Sequence, residues 1–164
     1  MTDVFIKPQH TALRAALRDF NEEYAACLDS NQLERWPDFF VEDCHYRVLS
    51  KENFDANLPI GVIYCMNKNM LRDRVTALRQ TTVYEPRALR HIFGGVDIKK
   101  VEGGSIFAET NFLIVESLSD RDPILNMAGR YVDEILHKDG GFLIRSRDVV
   151  HDNYRVLTSL IVPV

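Results

Sequence analysis

Beyond residue 91 the sequence is almost continuously strand-forming, and this feature limits the possible folds more than any other. Alternating and β-branched residues fill four successive segments, and turn-forming residues separate them. The segments are HIFGGVDIKKVEG, SIFAETNFLIVES, PILNMAGRYVDEILHK and GFLIRSRDVVHD, and the turns fall at Gly103/Gly104, residues 120–123 and residues 138–141. Because strands joined by a short turn run antiparallel, the pattern predicts a sheet of long antiparallel strands that ends in a hairpin around the DGG turn.

Helical periodicity precedes these strands near the start of the chain. Apolar residues recur there at steps of three and four, while charged residues occupy the opposite face. The apolar stripe consists of Leu13, Leu17, Phe20, Tyr24 and Leu28. This spacing predicts an amphipathic helix of about five turns that ends near Asp29 and Ser30.

The next segment, NQLERWPDFF at residues 31–40, predicts a second and shorter helix. Asn31 followed three residues later by Glu34 resembles a capping box, in which two side chains satisfy the free amides of a helix start. Pro37 is expected to interrupt the helix, because it lacks an amide hydrogen. The apolar residues Leu33, Trp36, Phe39 and Phe40 are expected on its buried side.

Two short strands and a further helix complete the first half of the chain. CHYRVLS and PIGVIYC show strand-like alternation, the polar residues 51–57 between them suit a turn, and residues 66–80 return to helical spacing. Helices, short strands and then a run of long strands predict an α+β fold, in which a curved antiparallel sheet wraps against N-terminal helices and leaves a conical cavity. At 164 residues the chain has the size of a single domain.

Composition excludes several classes of partner. A formal net charge of −4 and a pI near 5.7 give no reason to expect nucleic acid or an acidic membrane. The N-terminal residues lack the apolar core of a signal peptide and no segment is apolar enough to span a membrane, so a cytoplasmic protein is expected. The three cysteines, Cys27, Cys44 and Cys65, are widely spaced and are expected as reduced thiols.

Three side chains could carry proton-transfer chemistry if they met in the conical cavity. Asp38, Tyr46 and His91 would supply an acid, a phenol and an imidazole. Their spacing is equally compatible with structural roles, namely a solvated helix end, a half-buried strand aromatic and a donor to a main-chain carbonyl. The histidines are scattered and the glycine pairs lack the features of a phosphate loop, so the sequence predicts neither a metal site nor a bound cofactor in this chain.

The stretch YEPRALRHIF, residues 84–93, concentrates the remaining polar candidates. Arg87, Arg90 and His91 follow Tyr84, and an arginine-rich helix precedes them. Such a window is compatible with a solvated face. Arginine beside aromatic residues is also the composition that protein interfaces favour, because a planar guanidinium can stack and form paired hydrogen bonds.

Three runs in this order resemble a known family: WPDFFVEDCHYRV, MLRDRVTALRQTTVYEPRALRHIFGG and GRYVDEILHKDGGFLIRSRDVV. They are similar to the small (β) subunits of aromatic-ring-hydroxylating dioxygenases, the Rieske non-haem iron oxygenases. The resemblance covers the chain from about residue 12 onward. It is strongest to the small subunits of enzymes that act on aromatic carboxylates, such as terephthalate dioxygenase and salicylate 5-hydroxylase.

The resemblance implies a fold, an assembly and a division of labour. The fold is the cone-shaped fold of scytalone dehydratase and the nuclear-transport-factor-like proteins, and the assembly is an α3β3 hexamer in which a trimeric base of small subunits stabilises three large ones. The large subunit is expected to carry a [2Fe-2S] Rieske cluster, a mononuclear Fe(II) and the substrate pocket, and to receive electrons from a reductase or ferredoxin. The resemblance further implies that Tyr84, Arg87, Arg90 and His91 lie at a subunit interface.

Two other functions stay open at this stage. A free-standing dehydratase or isomerase of the same fold would use Asp38, Tyr46 and His91, and a small-ligand binding protein would use the cavity alone. A dehydratase would place Asp38 and His91 within hydrogen-bond reach, roughly 2.6 to 3.2 Å.

Overall fold

The computed structural model describes residues 10–154, 160 and 162–164. Three α-helices, one 3-10 helix and six strands follow in chain order within these ranges. They are α1 (Thr11–Asp29), the 3-10 helix (Leu33–Phe39), β1 (Phe40–Ser50), α2 (Lys51–Asp55), β2 (Ile63–Cys65), α3 (Lys68–Gln80), β3 (Arg87–Glu102), β4 (Ser105–Leu118), β5 (Arg121–Lys138) and β6 (Gly141–His151).

The six strands form one sheet in the order β2-β1-β6-β5-β4-β3. β3 to β6 are an antiparallel meander, as the turn residues predict, and β1 pairs antiparallel with β2. The pair β1 and β6 is parallel, so the sheet is mixed and not antiparallel throughout. The connection through α2, β2 and α3 is long enough to carry the chain from β1 to the far edge, from which the meander returns to lie beside β1.

Helix α1 packs its apolar stripe on the inner face of the sheet, as the periodicity predicts. Leu17, Phe20, Tyr24 and Leu28 are buried, while the charged side of the helix faces solvent. Because these four side chains recur every three or four residues, a single helical face removes all of them from water.

The second predicted helix is a 3-10 helix, and the capping box does not form. Asn31 has a φ of 57°, the left-handed conformation that typically ends a helix, so this residue closes α1 and does not begin the next element. Glu34 instead accepts a hydrogen bond from Nε of Arg79, at 2.7 Å. Pro37 lies inside the 3-10 helix and is buried.

Element boundaries differ from the sequence pattern at further places. The polar residues 51–57 contain α2, whose first turn is capped by the hydroxyl of Ser50, which accepts from the amide of Asn53. Strand β2 is confined to Ile63–Cys65. Strand β3 begins at Arg87, four residues before the predicted start, which places Arg87, Arg90 and His91 on one extended segment.

The core lies between the inner face of the sheet and the helices, and aromatic rings dominate it. Six of its largest fully buried side chains are aromatic: Trp36, Tyr24, Tyr46, Tyr131, Phe40 and Phe112. Several of these rings meet edge to face, the arrangement that aromatic quadrupoles favour. Strands β5 and β6 approach each other closely at Gly129, where an added Cβ would lie 2.1 Å from the carbonyl oxygen of Val150.

Candidate functional site

Strand alternation divides the residues 84–91 between the two faces of the sheet. Arg87, Leu89 and His91 point inward, while Arg90 between them is exposed. Successive side chains of a strand lie on opposite faces, so the two arginines cannot share one environment. The structure therefore separates a set of residues that the sequence alone presents as one cluster.

Arg87 forms an ion pair within the chain. Its Nη1 lies 2.6 Å from Oε1 of Glu116 on the neighbouring strand β4, and the Glu116 side chain is wholly buried. Nδ2 of Asn126 donates to the second carboxylate oxygen, Oε2, at 2.8 Å. Because both oxygens of Glu116 have partners, the arginine and the carboxylate together stabilise β3 against β4 and β5.

His91 connects strand β3 to the end of helix α1. Its main-chain amide donates to Oδ2 of Asp29 at 3.0 Å, and its Nδ1 lies 2.7 Å from Oδ1 of the same carboxylate. The imidazole is fully buried, and its Nε2 has no hydrogen-bond partner among the described residues. This double contact holds strand β3 against the C-terminal end of helix α1.

Tyr84 lies over the same helix end and lines a cavity of about 260 Å³ with Asp29, Arg87 and Val162 among its neighbours. Tyr84 is half-buried and packs against the core. Three of the four predicted interface residues thus meet at one place, around Asp29. Arg90 lies on the other side of the sheet, where its Nη1 donates to the carbonyl of Leu89 at 3.1 Å and no carboxylate lies within ion-pair distance in the described residues.

The structure does not bring Asp38, Tyr46 and His91 together. Asp38 is exposed in a surface cavity of about 500 Å³ beside Phe20 and Phe142. Among the residues that the structure describes, no hydrogen bond joins any two of the three candidates, because each has a different setting. The proton-transfer arrangement that the dehydratase interpretation needs is therefore not formed.

The hydroxyl of Tyr46 is hydrogen-bonded to another part of the same chain. Its hydroxyl donates to the main-chain oxygen of Val164 at 2.7 Å and accepts from the amide of Val164 at 3.0 Å. Tyr24 donates to the same oxygen at 3.2 Å, and Nε1 of Trp36 donates to the Tyr24 hydroxyl at 2.9 Å. Burial raises the pKa of Tyr46 well above its ordinary value, so the phenol stays protonated. Val164 is itself buried among these aromatic side chains.

A buried ion pair lies beside these tyrosines, and the sequence analysis missed it. Nε and Nη2 of Arg147 donate to the carboxylate of Asp133 at 2.9 and 2.8 Å, and both side chains are at most 1% exposed. Nη2 also donates to Oδ1 of Asn21 on α1, at 2.7 Å. Burial raises the pKa of the Asp133 carboxyl, and the guanidinium of Arg147 acts against that rise.

The rings of Tyr24 and Tyr131 enclose this guanidinium. Cζ of Arg147 lies 4.3 Å from one ring centre and 4.0 Å from the other, within cation–π range. One signal in the sequence could have revealed the pair: Arg147 and Asp133 occupy inward positions of the predicted hairpin, directly across from one another. Opposite charges at facing inward positions of a hairpin indicate a buried ion pair.

Within residues 10–154, 160 and 162–164, no group of three or more His, Cys, Asp or Glu side chains is arranged to hold a metal ion, and Cys27, Cys44 and Cys65 are free thiols. No helix among these residues combines the length and apolar character that crossing a membrane requires.

The outer face of the sheet offers the other candidate surface. Ile92 and Leu113 lie opposite one another on β3 and β4 and are 53% and 43% exposed, and Leu125 on β5 is 54% exposed. Arg90 lies two residues before Ile92 and therefore on the same face of β3. We call Arg90, Ile92, Leu113 and Leu125 the sheet patch.

Solved structures share this architecture at low sequence identity. A structure assigned to scytalone dehydratase from Novosphingobium aromaticivorans DSM 12444 superposes with a TM-score of 0.70 at 16% identity, over 94% of this chain and 95% of that one. The beta subunit of benzoate 1,2-dioxygenase from Burkholderia mallei ATCC 23344 gives 0.73 at 19% identity, over 90% and 95%. The class is therefore the cone-shaped α+β fold, as predicted.

Closer relatives define the family within that class. The chain matches the family described as "Ring hydroxylating beta subunit" over residues 23–158. It is 38% identical over 141 residues to the anthranilate 1,2-dioxygenase small subunit of Burkholderia cepacia, covering 86% of this chain and 88% of the relative. It is 33% identical over 144 residues to the terephthalate 1,2-dioxygenase terminal oxygenase component subunit beta 2 of Comamonas sp, covering 88% and 94%.

A solved beta subunit assigned to an aromatic-ring-hydroxylating dioxygenase of Novosphingobium aromaticivorans DSM 12444 is also similar, with 36% identity, a TM-score of 0.86, and coverage of 95% of this chain and 99% of that one. The protein belongs to the beta subunits of the aromatic-ring-hydroxylating dioxygenases. The family that the sequence resembles is thereby confirmed.

Proposed function

We propose that this chain is a non-catalytic structural subunit that forms a trimeric base and stabilises three catalytic large subunits in an α3β3 oxygenase. The observation that carries the proposal is the contrast inside the molecule: Val164 and the Arg147–Asp133 pair occupy the cone, while Arg90 and its apolar neighbours are uncovered on the outer face. Side chains that already have partners are committed to folding, and unpaired exposed ones are available to another subunit.

The chemistry belongs to the partner in this proposal. The large subunit would carry the [2Fe-2S] cluster and the mononuclear Fe(II), and a reductase or ferredoxin would supply electrons to it. An aromatic carboxylate is the proposed substrate class, because the two relatives described above are named for anthranilate and terephthalate. A cytoplasmic location is part of the same proposal.

The residues 84–91 have two tasks in the proposed interface. Arg90 contacts the neighbouring subunit, since it is exposed and has no carboxylate partner among the described residues. Tyr84, Arg87 and His91 position β3, because they fix it to Glu116 and to the end of α1. An arginine that becomes buried on assembly stabilises the interface when a carboxylate or carbonyl of the neighbour accepts its hydrogen bonds.

The first experiment is to capture a tagged copy of the chain from its own host and to measure the native mass and iron content of what is retained. We expect an assembly containing this chain and an iron-bearing larger subunit in near-equal amounts. A chain that is recovered alone and free of iron would refute the structural-subunit proposal.

The second experiment replaces Arg90 with alanine. We expect the assembly to dissociate at a higher protein concentration than the unmodified complex, while the circular dichroism of the chain is unchanged. Arg18→Ala is the matched control, because Arg18 is an exposed arginine in α1, on the inner side of the sheet, and its one ion pair in the part of the chain that the structure describes is with Glu22. An assembled mass that Arg90→Ala leaves unchanged would exclude Arg90 from the interface.

A further inference from the structure

A row of exposed apolar side chains follows the free edge of the sheet. From residue 58 to 66, every second residue is apolar and turned to solvent, and Met70 at the start of α3 continues the row. The members are Leu58, Ile60, Val62, Tyr64, Met66 and Met70, which we call the edge stripe. Ile63 and Cys65 between them are only 3% and 4% exposed, so this segment carries apolar residues on both its buried and its exposed side.

The backbone fixes the edge stripe in this exposed position. Gly61 approaches β1 so closely that an added Cβ would lie 2.7 Å from the carbonyl oxygen of Val48, and the amide of Val62 donates to the same oxygen at 2.7 Å. Among the described residues, β2 is the first strand in the order of the sheet and pairs with β1 alone. An apolar edge strand without a second neighbour associates with other chains unless something covers it.

The size of the edge stripe fits a subunit contact. Its six side chains are 38% to 61% exposed and together form an apolar surface of roughly a few hundred Å², against roughly 800 Å² per partner in a standard interface. The sheet patch lies at the opposite end of the strand order, on β3, β4 and β5. The chain thus presents two apolar surfaces that differ in sequence and shape.

The sheet between the two surfaces does not need a partner. Arg47 and Asp148 pair across β1 and β6 at 2.6 Å, between the two surfaces. On the strands that carry the sheet patch, but beyond it, Glu109 on β4 lies 3.5 Å from Lys99 and 3.7 Å from Arg130. These mostly half-buried charges neutralise one another within the chain. Contacts between copies are therefore expected at the edge stripe and the sheet patch and not at these ion pairs.

A closed ring of three identical subunits requires two different surfaces on each copy. A two-fold contact joins the same patch on both partners and stops at a dimer, whereas a head-to-tail contact joins unlike patches and closes after a fixed number of copies. We propose that the edge stripe of one copy packs on the sheet patch of the next and so closes the trimer. This inference rests on the proposed function, and it names the two surfaces that meet.

Charge supports this pairing. Arg90 in the sheet patch has no carboxylate partner among the described residues. Asp43 on β1 likewise has no cationic partner there; it is exposed and lies three residues before Tyr46, which pairs with Cys65 at the end of β2 that precedes Met66. A head-to-tail contact brings an unpaired cation on one surface toward an unpaired anion beside the other, which favours this orientation over the reverse.

Complementary variants test the proposal in the full chain. Ile60→Glu alters only the edge stripe and Leu113→Glu only the sheet patch. We expect each variant alone to sediment as a monomer and an equimolar mixture to form dimers, because one unaltered stripe and one unaltered patch remain in each mixed pair. Val83→Glu, at a fully exposed apolar residue outside both surfaces, should keep the unmodified mass.

Each alternative outcome has a distinct meaning. A mixture that stays monomeric while both variants keep native circular dichroism overturns the head-to-tail contact. An Ile60→Glu variant that stays trimeric but no longer retains the large subunit assigns the edge stripe to that partner, which overturns the inference and leaves the proposed function standing. An unmodified chain that is monomeric and never retains a large subunit refutes the proposed function itself.

A charge reversal gives a second and independent measurement. Arg90→Asp and Asp43→Arg are each expected to raise the trimer dissociation constant about tenfold or more, and the double variant is expected to recover most of that loss. If the double variant loses as much association free energy as the two single variants together, these side chains do not contact one another.

Discussion

The two faces of the sheet differ in how deeply their charged side chains are buried. On the inner face, Arg147 and Asp133 are withdrawn from water and hydrogen-bonded to one another and to Asn21. On the outer face, ion pairs are partly hydrated, and Arg90 has no carboxylate partner in the described residues. The comparison teaches that the inner polar groups maintain the fold of the cone, whereas on the outer face Arg90 remains available for assembly.

The largest expected effect comes from breaking the inner ion pair. Replacing Arg147 with methionine leaves the Asp133 carboxylate buried without its partner, and we expect the free energy of unfolding to fall by about 3–5 kcal/mol. Urea denaturation measures this. Arg145→Met is the control, because Arg145 is 52% exposed and lies 3.3 Å from Glu134, a contact that contributes at most about 1 kcal/mol. Equal losses in the two variants would show that the inner pair does not stabilise the fold.

A steric test at the close approach of β5 and β6 should have the next largest effect. Gly129→Ala places a Cβ against main-chain atoms of Val150 and His151, which cannot rotate away, and we expect a loss of about 3 kcal/mol in unfolding free energy. Gly95→Ala on β3 adds the same methyl group where no atom lies within 4 Å, and should change stability by less than about 0.5 kcal/mol. A tolerant Gly129 would mean that the two strands can separate at this point.

Removing one hydroxyl from the cone should cost less. Tyr46→Phe deletes both hydrogen bonds to Val164 and leaves its buried amide without this partner, so a loss of about 1–3 kcal/mol is expected. The outer-face control is Tyr64→Phe, because Tyr64 is 40% exposed and its hydroxyl can bind water. Thermal unfolding of the two variants compares the faces directly, and a stable Tyr46→Phe protein would mean that Val164 is dispensable to the core.

The smallest expected effect is a pH dependence of stability. Burial raises the pKa of the Cys44 thiol to about 11, from an ordinary value of 9.0. Between these values the unfolded chain loses the proton while the folded chain retains it, so stability falls as the pH rises from 9 toward 11. We expect Cys44→Ala to reduce the decrease in unfolding free energy between pH 8 and pH 10.5. The same decrease in both proteins would show that this thiol does not contribute.

The sequence predicted the elements better than their contacts. Helix α1 and the four long strands follow from periodicity, because spacing along the chain decides which face is apolar. The Asn31 capping box failed, since the same residue can end one helix or begin another and only its observed φ of 57° distinguishes the two. The early start of β3 at Arg87 was missed because Pro86 and the polar residues before it are typical of a turn.

The candidate site was less predictable for the same reason. Tyr84, Arg87 and His91 do gather around Asp29, but the alternation of β3 sends Arg90 to the other face. Asp38, Tyr46 and His91 were grouped by chemical type alone, and the structure gives each a different setting. The edge stripe could have been recognised in residues 58–66, where alternate residues are apolar on both faces.

The sequence by itself determined the fold class, the principal helices and strands, and the family to which the chain belongs. Only the tertiary structure decided that Val164 occupies the cone, that Arg147 pairs with Asp133, and that Arg90 is exposed. The physical reason is range: periodicity is a local property, whereas Arg147 and Asn21 are 126 residues apart and meet only after the sheet has its register. The pKa and the binding properties of a side chain depend on its neighbours, and the tertiary structure determines which residues those neighbours are.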